Sequence, residues 1–301
     1  MKSYKLENEY CELEISNGII ISIKIKINSE KYEILGYDPK NYVSSFIMAP
    51  WANRIKDGKF NSNKGKYDFS TNNPFKIKHA IHGTVMFSEW KLENHSEKEI
   101  LIKTNLSDPW PYKGSVKFKI SLLGKKIKNE LTITNEDTDI MPFSLGWHPW
   151  FKRKLKKEDL NIKFDAKYKW ELVDSIPSSK KINSDEIPMF LKGFTPQPGT
   201  LDDCYRINKG SPVFLKWPEI TLKINSSPEC SHLMIYTPID QNSGLICVEP
   251  QTATINAFQL FEDKVDDTGI LFVNPNESKT IKLVVPIKEL AFVSKTNEQL
   301  Y

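Results

Sequence analysis

The chain has 301 residues, 39% of them hydrophobic and 27% charged, which is enough apolar content for a sizeable core and too much for a disordered chain. Its 42 basic and 38 acidic residues leave a net charge of +4, so no strong field points to nucleic acid or to an anionic membrane as a partner. Cysteines at 11, 204, 230 and 247 form no CxxC pair, the start of the chain has no apolar signal segment, and no apolar run approaches a membrane span; a cytoplasmic protein with free thiols is expected.

Alternating apolar and polar residues, or β-branched runs, predict strands over 18–27, 115–123, 130–137, 160–166, 219–227, 232–238 and 280–287. Turn signals lie between them, at Asn17-Gly18, Asp57-Gly58, Lys209-Gly210-Ser211, Ser243-Gly244 and Asn274-Pro275-Asn276. Helical periodicity is scarce, with short candidates near 185–192 and after 288. No linker-like stretch divides the chain, so residues 1–301 are expected to form a single all-β domain, a large sandwich or barrel with one buried face per sheet. The other face can be concave and polar, which suits a small-molecule site.

Four stretches stand out from a background rich in Lys, Ile and Asn. In "MAPWANRIKDGKF" (48–60), Arg54 is one of only three arginines, with Arg153 and Arg206, and either ties down a loop or serves a ligand. In "KIKHAIHGTVMFSEW" (76–90), His79 and His82 are three apart. Zinc would need further ligands that are not nearby, so no metal is expected. Residues three apart on an extended segment point to opposite faces, so at most one of the two histidines faces a given pocket; Gly83, which permits close approach, favours His82.

"SLGWHPWF" (144–151) sets His148 between Trp147 and Trp150. Aromatic walls would desolvate the imidazole and keep it able to exchange a proton near neutrality, although simple packing fits the same pattern. In "LICVEPQTATINAF" (245–258), Glu249 follows a core-like run; a carboxylate there needs a cationic partner or a function, and desolvation would raise its pKa. Glu249 and His148 together make an acid/base pair. "GTLDDCYRI" (199–207) offers paired aspartates that could form a turn, bind a ligand or pair with Arg206. There is no GxGxxG, no phosphate-cradling loop and no Gly-x-Ser-x-Gly elbow.

In this order the stretches resemble the aldose 1-epimerase (mutarotase) family from about Leu13 to Ile287. The matching pieces are Asn53-Arg54-Ile55 with Gly58 and Phe60, His82-Gly83 with Trp90, His148-Pro149 with Phe151, Asp202 ahead of Tyr205, and Glu249-Pro250-Gln251. The resemblance implies a β-supersandwich that interconverts α and β anomers of a hexose without metal or cofactor, working as a monomer or homodimer. It implies Glu249 as base and His148 as acid, with Arg54, His82 and Asp202 binding the sugar and Trp147, Trp150 or Trp51 stacking or packing. The Trp147 and Trp150 rings are expected to dry the wall around His148. Three positions depart from the galactose mutarotase pattern: Lys152-Arg153, Asp203 after Asp202, and Met234 where a glutamine is usual. Two other readings are a hexose-6-phosphate 1-epimerase, with Lys152 or Arg153 near the phosphate, and a non-catalytic sugar-binding protein.

Overall fold

The computed structural model describes residues 2–41, 43–70 and 77–288. Four N-terminal strands, Ser3–Glu7, Cys11–Ser16, Ile19–Ile27 and Glu30–Glu33, pair in chain order as an antiparallel sheet. Two larger antiparallel sheets of eight strands follow.

The first runs Lys91–His95, Glu99–Asn105, Gly114–Leu122, Lys126–Asn135, Ser278–Lys288, Thr221–Ser226, Val213–Lys216 and Asn161–Lys163. The second runs Ile176–Ile182, Ala166–Val173, Asp202–Ile207, His232–Tyr236, Leu245–Gln251, Gly146–His148 and Phe46–Met48, with Trp150–Lys152 also on Leu245–Gln251. Every strand predicted from alternation is present.

The alternation works as expected. In Lys126–Asn135 each second residue, from Ile127 to Asn135, is buried, and its neighbours are more open. Val116, Phe118, Leu131, Ile133 and Ile281 of the first sheet share one buried cluster with Tyr205, Leu233, Ile235, Ile246 and Val248 of the second. The core therefore lies between the two sheets. Burying one such side chain contributes about 1.5–3 kcal/mol, and the cluster is the main source of rigidity under the second sheet.

The consequence for function comes from the strand Leu245–Gln251. Ile246 and Val248 point into the inter-sheet core, so Cys247 and Glu249 must point to the opposite face. Trp147 also belongs to the inter-sheet cluster, which leaves His148 on the side shared with Glu249.

The helix Glu186–Lys192 matches the candidate near 185–192. A second helix, Ala257–Glu262, buries Phe258 and Leu260 and was not predicted; six residues are under two turns, too few to display a 3.6-residue stripe. The helical candidate after 288 lies outside the described residues. All four cysteines are free and buried. No helix among the described residues is long and apolar enough to cross a membrane.

Candidate active site

On its outer face the second sheet carries a cleft of about 360 Å³, within the roughly 300–1,000 Å³ typical of small-molecule sites. Strand register builds its floor. Asp202 is opposite Tyr236, Tyr236 opposite Cys247, and Cys247 opposite Trp150. Met234 is opposite Glu249, and Phe46 is opposite His148. Six strands thus deliver side chains to one place, and no loop has to hold the central pair.

That pair is His148 and Glu249, with Nε2 and Oε1 3.3 Å apart. Both are buried, at 7% and 1% exposure. The imidazole is sandwiched between Phe46, at 4.6 Å between ring centroids, and Trp150, at 5.7 Å, both stacked. The ring of His82 meets it edge-on at 4.8 Å. Such packing fixes the His148 ring plane, so its Nε2 has one direction in which to exchange a proton.

Burial sets the protonation states. It pushes the His148 pKa down to about 3, and the nearby Arg54 charge adds to the effect. It pushes Glu249 well above the usual carboxylate range, reinforced by Asp202 and opposed by Arg54. The two shifts run in the directions that favour the neutral form of each group, imidazole and carboxyl, and so favour a single exchangeable proton on the pair. A pair holding one proton can both accept and donate.

Arg54 enters from a short strand, Arg54–Ile55, paired with Ala80–Ile81. Its Nη2 donates to Asp202 Oδ2 at 3.3 Å and its Nη1 to Asn53 Oδ1 at 3.4 Å. This linkage spans two elements 148 residues apart in sequence. His82 follows Ala80–Ile81 with φ of 63° and brings Nδ1 to 3.0 Å from Met48 Sδ. Burial, with His148 and Arg54 nearby, holds His82 neutral. Gly83 explains how the turn is made: its φ is 78°, and a Cβ there would lie 1.9 Å from the Ala49 carbonyl oxygen.

A wider groove of about 890 Å³ runs beside the edge strand Lys91–His95. It gathers no buried acid/base pair. The smaller cleft is the candidate active site.

The family model for aldose 1-epimerase matches residues 2–285. The chain belongs to the aldose 1-epimerase family. Among curated relatives, the protein LacX (plasmid) of Lactococcus lactis subsp. lactis is 29% identical over 213 residues, which is 63% of this chain and 70% of LacX. The uncharacterized protein YphB of Escherichia coli K12 is 28% identical over 109 residues, 36% of this chain, and the match spans 37% of YphB's own length. Solved structures share the aldose 1-epimerase fold at lower identity. A galactose mutarotase-like protein from Clostridium acetobutylicum superposes with TM-score 0.82 at 19% identity, covering 96% of this chain and 95% of that one. A GalM/aldose epimerase homologue from C. elegans gives 0.78 at 15%, covering 96% and 100%. The β-supersandwich expected from the resemblance is therefore the architecture of this aldose 1-epimerase family member.

All five candidate residues, Arg54, His82, His148, Asp202 and Glu249, line the one cleft. His79 points elsewhere, where its Nδ1 accepts from the Asp57 backbone N–H at 3.0 Å. Asp203 turns away from Asp202, as strand alternation requires, and pairs with Lys169 at 3.2 Å. The paired aspartates do not bind Arg206, which bridges to Asp267 at 3.4 Å.

Two expectations need correction. Trp147 does not dry the wall beside His148, because adjacent strand residues face opposite ways and Trp147 goes to the core; Phe46 takes its place. Arg153 is no anion anchor, since it is buried and bonded to Asp159 at 3.0 Å and to the Pro196 carbonyl. Trp51 packs against Phe69 and Trp110, as a core residue does. Sequence reasoning missed Phe46 and Tyr236 as parts of the site. Tyr236 had a usable signal, lying on the strand predicted over 232–238. Phe46 had none, because the register of distant strands decides it.

Proposed function

We propose that the protein interconverts the α and β anomers of a free hexose, with Glu249 and His148 moving the protons. The observation that carries this reading is the 3.3 Å contact between His148 Nε2 and Glu249 Oε1 in a cleft lined by sugar-binding group types. Sugar hydroxyls donating to Glu249 favour its carboxylate form, and the pair's proton then sits on the imidazole. From that state the anomeric hydroxyl gives its proton to Glu249 while His148 gives one to the ring oxygen. The bond between the anomeric carbon and the ring oxygen breaks, leaving an open-chain aldehyde.

Rotation beside the aldehyde carbon presents its other face. The hydroxyl that was the ring oxygen attacks, its proton returns to His148, and Glu249 protonates the new anomeric oxygen. Each proton delivered to one oxygen is matched by one removed from its neighbour, so no bare oxyanion is formed. Arg54 and His82 would hydrogen-bond the ring-side oxygens, and Asp202 would accept from hydroxyls, fixing the ring's orientation. Trp150 offers an aromatic face at the same wall.

Charge supports an unphosphorylated sugar over the hexose-6-phosphate alternative. Among the described residues, Arg54 is the only arginine or lysine lining the cleft, and Asp202 already holds it, while Asp240 and Glu249 add acidic groups. Among the described residues a phosphate dianion would meet one guanidinium already paired with a carboxylate, and two further acidic groups. The buried acid/base pair speaks against a purely binding role.

Polarimetry on freshly dissolved pure anomers of free and phosphorylated hexoses, with His148→Asn as control, tests the reading. The expected result is accelerated anomerisation of at least one free hexose, lost in His148→Asn. No acceleration across the panel, or equal rates for the variant, would overturn it.

A further inference from the structure

We propose that His148, Cys247 and Glu249 form an inhibitory site for a thiophilic divalent cation of the Zn²⁺ or Cd²⁺ class at the floor of the cleft. The three side chains supply one nitrogen, one sulfur and one oxygen, all within 4.8 Å of one another, and no other such group gathers among the described residues. Strand geometry holds them: Cys247 and Glu249 are two apart on one face of a central strand, and Trp150, next but one after His148, is in register with Cys247.

The spacing fits tetrahedral zinc. With metal–nitrogen and metal–oxygen bonds of about 2.0–2.1 Å, two such ligands sit about 3.4 Å apart. His148 Nε2 and Glu249 Oε1 are already 3.3 Å apart. A sulfur bonded at about 2.3 Å would lie about 3.6 Å from each, so from separations of up to 4.8 Å the thiol closes in by about 1.2 Å at most. A second observation points to a missing partner: Glu249 Oε2 is buried and accepts no hydrogen bond among the described residues.

A mixed N, S, O set selects borderline-soft cations and rejects Mg²⁺ and Ca²⁺, which prefer oxygen alone. Coordination sends the thiol proton, and the proton shared by the pair, into water. His148 and Glu249 line the cleft, so a cation held by them would stand where a sugar hydroxyl would otherwise bond. Because the cation occupies both groups that move protons, it competes with sugar. This inhibitory consequence rests on the mutarotase reading; the metal site itself does not.

Two measurements on the metal-free full-length protein test the proposal. Cd²⁺ titration should produce a near-ultraviolet thiolate charge-transfer band saturating at one equivalent, absent in Cys247→Ala and weakened in Glu249→Gln. Zn²⁺ should inhibit anomerisation competitively with sugar and reversibly with EDTA, while Mg²⁺ at the same concentration has no effect. Cys247→Ala should keep its turnover and need at least tenfold more Zn²⁺ for the same inhibition. A band that persists in Cys247→Ala, no band in the wild type, or equal Zn²⁺ sensitivity of the two proteins overturns the proposal. A protein that binds Cd²⁺ as expected yet turns over no sugar would leave the metal site standing and sink the epimerase reading alone.

Discussion

Replacing Glu249 by glutamine separates chemistry from folding more cleanly than any other change at this site. The amide has the shape of the carboxyl, so packing against His148 and the strand stays nearly intact, while the proton acceptor is gone. A positioned general acid or base contributes about 10²–10⁴ in rate, which at about 1.4 kcal/mol per tenfold is about 2.7–5.5 kcal/mol of barrier. The folded protein should not suffer, since the native carboxyl is buried, its pKa is driven upward by desolvation, and one of its oxygens accepts no hydrogen bond among the described residues. A neutral amide removes the cost of ionising that position. Glu249→Gln should therefore lose about 10²–10⁴ in kcat by polarimetry, with a thermal midpoint equal to or above that of the wild type. A variant within tenfold of wild-type kcat would refute the assignment of Glu249 to proton transfer. A variant losing both activity and thermal stability would refute the premise that the buried carboxyl is retained for chemistry at the expense of folding.

Three further outcomes follow from the same geometry. Arg54→Lys should raise KM about tenfold with a smaller change in kcat, because an ammonium cannot hold Asn53 and Asp202 at once as the guanidinium fork does; steady-state kinetics checks this. Gly83→Ala should destabilise the fold by about 1–3 kcal/mol in urea titration and lower kcat/KM, since the added methyl meets the Ala49 carbonyl at a left-handed position and shifts His82. Stability should also fall in acid. Burial depresses the folded pKa values of His148 and His232 to about 3, so the stabilisation they give is present above about pH 6.5 and is lost as pH falls towards 3. His82, also held neutral by burial, acts in the same sense, whereas Glu249, shifted upward, works with the opposite sign. The three histidines outnumber it, so the net effect is a decline in the urea midpoint as pH falls from 6 to 5.

How far the primary structure carries can be judged residue by residue. Period-two alternation finds strands in both large sheets, because a two-layer sandwich buries one face of a strand and writes that demand into consecutive residues; it does not find Leu245–Gln251, which is buried on both faces. The same rule places Glu249 opposite Val248, and His148 opposite Trp147. It was not applied to Trp147 because Gly146–His148 is only three residues long, too short to show a period of its own. Arg206 and Asp267 illustrate the opposite limit: 61 positions apart, they meet only because the fold brings them together. Phe46 is beside His148 for the same reason, through a register no local pattern encodes. Arg153 shows that a rare arginine can be structural, since its buried guanidinium is taken up by Asp159 and the Pro196 carbonyl.

His148 and Glu249 are mounted on the central strands of a broad sheet, whereas Arg54 and His82 hang from a two-residue strand pair braced by Gly83. On the proposed roles, proton transfer belongs to the broad sheet, and two of the three sugar-binding groups, all but Asp202, belong to the small strand pair. Substitutions in the 48–84 region can retune which hydroxyl pattern is accepted without disturbing the groups that open the ring, so sugar preference is free to diverge between relatives while the reaction stays the same.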